Sequence, residues 1–241
     1  MDLDAYLSRI GLADRPAPDL TGLAAVQRAH RRAIPFENLD IPLGRGISLD
    51  TDAVLAKLVT ARRGGYCFEQ NGLFLAALQA LGFNARPLLA RVWLFATDVP
   101  PKTHTLVLVT IEGVEWIADA GFGGSDVPPM RLRDGESSKS AGALHALSRD
   151  PEHGWMLLRS GERQYSFTEE PVYPADLAVA NHWVATHPDS RFVQGRIVSI
   201  VGDDRLDTLS ADGAEPAVYR AALAERFGIV LSESDVAALL A

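Results

Sequence analysis

Cys67 is the only cysteine in 241 residues, and its neighbours are those a nucleophilic thiol needs. It stands in Arg62-Arg63-Gly64-Gly65-Tyr66-Cys67-Phe68-Glu69-Gln70-Asn71, with an apolar run after it (Leu73, Phe74, Ala77, Leu78, Leu81). The glycine pair suits a tight turn, and the helical spacing of the run predicts a buried helix with the thiol in its first turn. Unpaired backbone N–H groups and the positive end of the helix dipole there favour the thiolate, the attacking form. A lone cysteine is more often a small buried hydrophobe. What lifts this one above that reading is a histidine and an aspartate further along the chain.

Residues 103–111 and 114–119 flank Glu112-Gly113, a two-residue turn candidate. In that register Ile111 faces Val114 and Leu106 faces Asp119. His104, two residues from Leu106, shares its face and lies diagonal to Asp119, within side-chain reach. A carboxylate on one ring nitrogen fixes the imidazole tautomer and leaves the other nitrogen for a nucleophile. Cys67, His104 and Asp119 are therefore the candidate catalytic set, provided that the cysteine helix docks on this hairpin.

The elements that must bring them together read as an α+β chain. Helical periodicity marks residues 3–10, a stretch starting at Asp19 or Thr21 and ending near Pro35, one capped by Asp50-Thr51, and the cysteine helix, stopped by Gly82. His30 reads as a helix-surface or packing residue, and 35–46 as an ordered loop. Strand patterns follow at 86–95, 103–111, 114–118, 130–132, 155–159 and 164–167, predicting an antiparallel sheet or barrel. The polar stretch 137–143 reads as a mobile loop. A helix at 176–186, a strand at 196–201 and helices at 216–227 and 233–240 complete the chain. The expected units are a helical bundle (1–82), an antiparallel β domain (83–190) and a short α/β lid (191–241), a cysteine-protease-like arrangement.

Lys and Arg number 23 against 31 Asp and Glu, a net charge of −8, which argues against a general nucleic-acid surface. One cysteine excludes an intramolecular disulfide and a multi-cysteine metal site, and no metal is expected. The start Met1-Asp2-Leu3-Asp4 has no signal-peptide run, and no apolar stretch is long enough for a bilayer. The expected setting is cytoplasmic, where a thiol stays reduced, with no membrane or nucleic-acid partner.

The segment Arg63 to Asn71 resembles the active-cysteine signature of the arylamine N-acetyltransferases. Ile34-Pro35-Phe36-Glu37-Asn38-Leu39, Thr103-His104-Thr105-Leu106, Asp119-Ala120-Gly121-Phe122-Gly123-Gly124 and Thr186-His187-Pro188-Asp189-Ser190-Arg191-Phe192 fit that family in the same order. Collinear motifs over residues 1–195 make the resemblance specific. It implies acetyl-CoA as acyl donor, arylamines or arylhydrazines as acceptors, and a two-step exchange through acetyl-Cys67. It also implies an acceptor site with Phe36, Tyr66, Val92, Thr103, Gly121, Phe122 and Gly123, and an Arg63–Glu37 pair holding the active-site loop. Trp93, beside Val92, reads as a further wall, Asn71 as a residue holding the triad by hydrogen bonds, and His187 as a turn residue. Two rivals use the same three residue types: a macrolactam-closing amide synthase of the same fold, and a papain- or transglutaminase-like hydrolase. After residue 195 few motifs remain, and the short tail implies an acyl-enzyme that water can reach.

Overall fold

The computed structural model describes every residue except Phe95, Asp203 and Asp204. The chain opens with helices α1 (Leu3–Arg9), α2 (Leu20–Ala33) and α3 (Thr51–Leu55), the last running into a π-helical turn (Ala56–Thr60), and then α4 (Cys67–Ala80). Asp2, Asp19 and Asp50 cap the first three, each side chain accepting backbone N–H groups that would otherwise be unpaired. Gly82, at φ 90°, turns the chain out of α4. Leu23, Val26, Leu58, Leu73, Phe74 and Leu78 meet in one core.

His30 lies inside this core, not on the helix surface. Its Nδ1 accepts from the Tyr6 hydroxyl at 2.8 Å, and its Nε2–H donates to Gln70 Oε1 at 2.5 Å. Burial, with Arg31 and Arg9 nearby, lowers its pKa to about 4 although the Gln70 bond opposes the shift. The folded chain therefore keeps His30 neutral where the unfolded chain protonates it. Its contribution to stability is complete above the unfolded value near 6.5 and is lost as pH falls toward 4. Thermal melts of the parent should fall over that window, and His30→Gln should flatten the fall. Identical slopes in the two proteins would reject the assignment.

The sheet comprises β2 (Asn84–Val92), β3 (Lys102–Ile111), β4 (Val114–Ala118), β5 (Met130–Arg131), β6 (Ser137–Ser140), β7 (Ala143–Asp150), β8 (Gly154–Arg159) and β9 (Glu162–Phe167). Its order is β5-β4-β3-β2-β9-β8-β7-β6, every neighbouring pair antiparallel. Leu88, Leu106, Ile117, Met130, Leu147, Leu157 and Tyr165 converge inside, so the sheet curls into a nearly closed barrel. Ser140 Oγ donates to Asp126 Oδ2 at 2.6 Å across the seam. The other face of β3 (Val107, Val109, Ile111) packs on the helices. Burial of both faces explains the almost unbroken apolar run of this strand.

The first hairpin keeps the predicted register, from Ile111 opposite Val114 to Val107 opposite Ala118. Glu112 and Gly113 take φ 51° and 76°, the left-handed pair that a two-residue turn requires. Three sequence expectations need correction. Residues 137–143 form β6 and the turn into β7, with Ala141 and Gly142 at φ 45° and 74°. A half-exposed edge strand of serine and lysine needs no apolar alternation, and edge strands favour such residues. β7 itself was not anticipated. The strand expected over 86–95 ends at Val92, and Phe95 lies outside the described residues.

In the 35–46 loop the two-residue strand β1 (Phe36–Glu37) pairs with β10 (Val198–Val201), which pairs with β11 (Leu206–Leu209). Between the sheets run α5 (Pro174–Thr186) and α6 (Arg191–Gln194), and α7 (Pro216–Phe227) and α8 (Glu233–Leu240) close the chain. Tyr219, Leu223, Phe227, Val236 and Leu239 pack against Leu39 and Val198 in a separate core. Among the described residues no helix is long and apolar enough to cross a membrane.

Candidate active site

The thiol is placed by close packing on both sides of the glycine pair. A Cβ on Gly64 would lie 2.2 Å from the Pro35 carbonyl oxygen, and one on Gly65 2.9 Å from Glu69. The pair is thus needed for close approach, while Arg62 supplies the left-handed residue at φ 54°. Glu37 N–H donates to the Gly65 carbonyl at 3.0 Å, so β1 runs along the turn. Gln70 Nε2 donates to the carbonyls of Pro35 and Gly65 at 2.7 and 3.1 Å. Glu69 Oε2 accepts the Tyr66 N–H at 3.1 Å and closes the start of α4.

His104 and Asp119 come from the barrel. The His104 Nε2–H donates to Asp119 Oδ2 at 2.7 Å, and both groups are buried. Asn71 Nδ2 donates to Asp119 Oδ1 at 3.0 Å and to the Thr105 carbonyl at 2.6 Å, tying α4 to both strands. The Gly121 N–H donates to Asp119 Oδ1 at 3.0 Å, and the Asp119 N–H donates to Gln27 Oε1 at 3.1 Å. Opposite β2 the pairing shifts between Ala90–His104 and Arg91–Lys102, which leaves Thr103 as a bulge. Its carbonyl lies 3.8 Å from Cys67 Sγ. A bulge at this point re-aims the strand toward the thiol.

Burial would raise the Asp119 carboxyl, but His104, the Asn71 amide and Arg31 outweigh it and hold it below its ordinary range. Burial and the Asp119 charge push the Cys67 thiol up, against the N–H groups of Phe68 and Thr105, which stabilise its anion. The N–H groups favour the thiolate as expected of a helix start, but burial and Asp119 outweigh them. In so buried a site, loss of the thiol proton needs a neighbouring acceptor.

Cys67 and His104 open on an apolar cavity of about 310 Å³, with Asp119 buried behind the imidazole. Phe36, Val92, Thr103, Gly121, Phe122 and Gly123 line it as expected, together with Leu94, Trp183 and Phe192. A Cβ on Gly121 would lie 2.9 Å from the Cys67 carbonyl oxygen, and one on Gly123 2.8 Å from the Phe36 ring, so the loop presses on both. Two expectations differ. Tyr66 is fully buried behind the cavity, its hydroxyl bonded to Asn181 Oδ1. Trp93 turns away, donating to Ser166 Oγ at 2.8 Å and lying against His153. Of residues 191–241, Arg191, Phe192 and Ile197 reach the cavity wall. His187 is the C-cap of α5, stacked on Trp183.

Arg63 Nη2 and Nε donate to Glu37 Oε1 at 2.6 and 2.9 Å, and Nη2 also to Asp40 Oδ1 at 3.2 Å. Lys57, missed in the sequence, bridges Asp40 and Glu69 at 2.7 and 2.8 Å. Burial lifts Glu69 to about 7 against the pull of Lys57. Also missed were Tyr165, whose ring lies 5.2 Å from His104 and 5.1 Å from Phe122, and the buried Gln27 and Arg31. Gln27, His30 and Arg31 continue the helical stripe of Leu23 and Val26, a signal that marks them as buried polar residues. Among the described residues no group of three His, Cys, Asp or Glu is placed to hold a metal ion.

A family model described as N-acetyltransferase matches residues 19–213. The chain is 43% identical over 235 residues to the arylamine N-acetyltransferase of Mycolicibacterium smegmatis, covering 93% of this chain and 85% of that protein. The chain belongs to the arylamine N-acetyltransferase family. A solved arylamine N-acetyltransferase from Salmonella typhimurium superposes with a TM-score of 0.93 at 32% identity, over 99% of this chain and 97% of the other. The Mycobacterium marinum arylamine N-acetyltransferase solved in complex with CoA matches at 0.91 and 34% identity, over 99% and 98% of the two chains. Both matches run through the C-terminal sheet and helices, where family motifs were no longer legible.

Proposed function

We propose that this arylamine N-acetyltransferase moves an acetyl group from acetyl-CoA to an arylamine or arylhydrazine through acetyl-Cys67. The reading is carried by one observation: a buried cysteine and histidine open on an apolar cavity, and a buried aspartate holds the histidine from behind. Cys67 passes its proton to the free ring nitrogen of His104 as its sulfur attacks the thioester carbonyl. Asp119 holds the imidazole by Nε2 and favours its protonated form. The thiolate thus forms as half of an ion pair, so the proton never has to leave the buried site. The N–H groups of Phe68 and Thr105 beside the sulfur are donors for the tetrahedral oxyanion. CoA departs with the proton returned by His104, leaving the thioester on Cys67.

The acceptor then attacks that thioester while His104 takes the proton from its nitrogen, and the C–S bond breaks to release the amide and return Cys67 as the thiolate paired with His104. Arylamines suit the step because they are unprotonated at neutral pH and their flat apolar bodies match Phe36, Phe122 and Phe192. The deciding experiment is intact mass after mixing with acetyl-CoA alone, followed by addition of an arylamine. An acetyl adduct that maps to Cys67 and discharges onto the amine is expected. Prompt release of acetate without any amine would instead indicate a hydrolase, and no adduct at all would reject the mechanism.

A further inference from the structure

The loop that follows Asp119 closes around the side chain of Arg31, a buried residue of α2. Arg31 Nη2 donates to the carbonyls of Phe122 and Ser125 at 3.1 and 2.8 Å, and Nη1 approaches the Asp119 carbonyl at 3.5 Å. Its Nε lies 2.9 Å from Asp126 Oδ1, so one guanidinium meets the loop at both ends and in the middle. A planar fork with five donors can do this, and an ammonium cannot.

The catalytic carboxylate makes no hydrogen bond with Arg31, whose charge only adds to the larger effects of His104 and Asn71 in keeping it ionised, a charge that Arg31→Lys would retain. Asp119 is held by His104, Asn71 and the Gly121 N–H, and its own N–H is held by Gln27. What Arg31 holds is the remainder of the loop, residues 122–126, which carries the Phe122 ring and with Gly121, Gly123 and Gly124 forms one wall of the cavity. That ring lies 5.2 Å from His104, where an acceptor must pass.

We propose that Arg31 is a positioning residue for the acceptor half of the reaction, fixing residues 122–126 and so the fit of the amine at acetyl-Cys67. The proposal rests on the acceptor reading of the cavity given above. It makes a split that general destabilisation would not produce. Arg31→Lys keeps a charge, but one ammonium with three N–H groups cannot span the Asp119, Phe122 and Ser125 carbonyls and Asp126 at once, and Arg31→Met loses all four contacts. Acylation of Cys67 by acetyl-CoA, followed by mass in a single turnover, should stay within about threefold of the parent in Arg31→Lys. The KM for an arylamine should rise about tenfold, the scale of a sub-ångström misplacement, and further in Arg31→Met.

A parental acceptor KM in Arg31→Lys would overturn the proposal, whatever happens to the melting temperature. Equal losses in acylation and transfer would also overturn it, placing Arg31 with the triad. If Arg31→Met does not fold, Arg31→Lys decides alone. Failure of the parent to form acetyl-Cys67 would be seen first and would count against the proposed function, not against Arg31.

Discussion

Cys67→Ala is expected to fold as the parent does and to transfer no acetyl group above background. The side chain is small, and its sulfur meets only backbone groups, the Thr103 carbonyl and the N–H groups of Phe68 and Thr105, so its removal leaves the surrounding side-chain network in place. The chemistry has no substitute, because 241 residues contain no second thiol. Loss of a triad member costs acyl-transfer enzymes on the order of 10⁴-fold or more. Cys67→Ser should come close to the same loss. Burial and the Asp119 charge already push the thiol up, and a hydroxyl surrenders its proton far less readily. Release of CoA under single-turnover conditions, with and without an arylamine, measures both variants. Transfer by Cys67→Ala within about a hundredfold of the parent, far above that scale of loss, would remove Cys67 from the nucleophile's role.

The candidate catalytic set was legible because each member is tied to local structure. The Glu112-Gly113 turn fixes the register of β3 and β4, and register fixes the face on which His104 and Asp119 meet. The cysteine sits at a helix start that the apolar spacing reveals. What stayed hidden depends on partners distant in sequence. Arg31 meets the Asp119 loop from 88 to 94 positions away, and no local pattern reports where a long cationic side chain ends. Lys57 emerges from a π-helical turn that no propensity predicts. Tyr66 reads as a pocket aromatic because it adjoins the nucleophile, yet as N-cap of α4 it points its ring behind the helix toward Phe68 and Phe192. Strands β6 and β7 were lost for a different reason. β6 is the half-exposed edge strand of serine and lysine, and β7 beside it buries Ala143, His145 and Leu147 on one face, too weak an apolar alternation to read.

Arg63→Met is expected to be among the most damaging substitutions away from the triad. Glu37 has no solvent exposure, and Arg63 is nearly as buried, so the pair is held out of water. Burial by itself would lower the Arg63 pKa, but Glu37 and Asp40 outweigh it and raise it. Removing the cation leaves Glu37 without its ion-pair partner, and Lys57, whose charge also acts on Glu37, stays tied to Asp40 and Glu69. Breaking one side of such a pair costs on the order of 3–5 kcal/mol. In a chain of this size that is a fall in melting temperature of roughly 10 °C. Activity should fall as well at temperatures where the variant is folded, because the Glu37 N–H is bonded to the Gly65 carbonyl and moves with the turn that presents Cys67. The double variant Arg63→Met with Glu37→Leu separates charge from packing. If the cost of the single variant is chiefly an unpaired carboxylate, the double variant should recover much of the lost stability, since an apolar pair can replace a buried ion pair with little loss. Its activity should recover less, because Glu37 Oε2 also accepts the Leu39 N–H at 2.7 Å and shapes β1 beside the turn. A double variant no more stable than Arg63→Met would mean that the arginine acts by filling space and not by balancing charge.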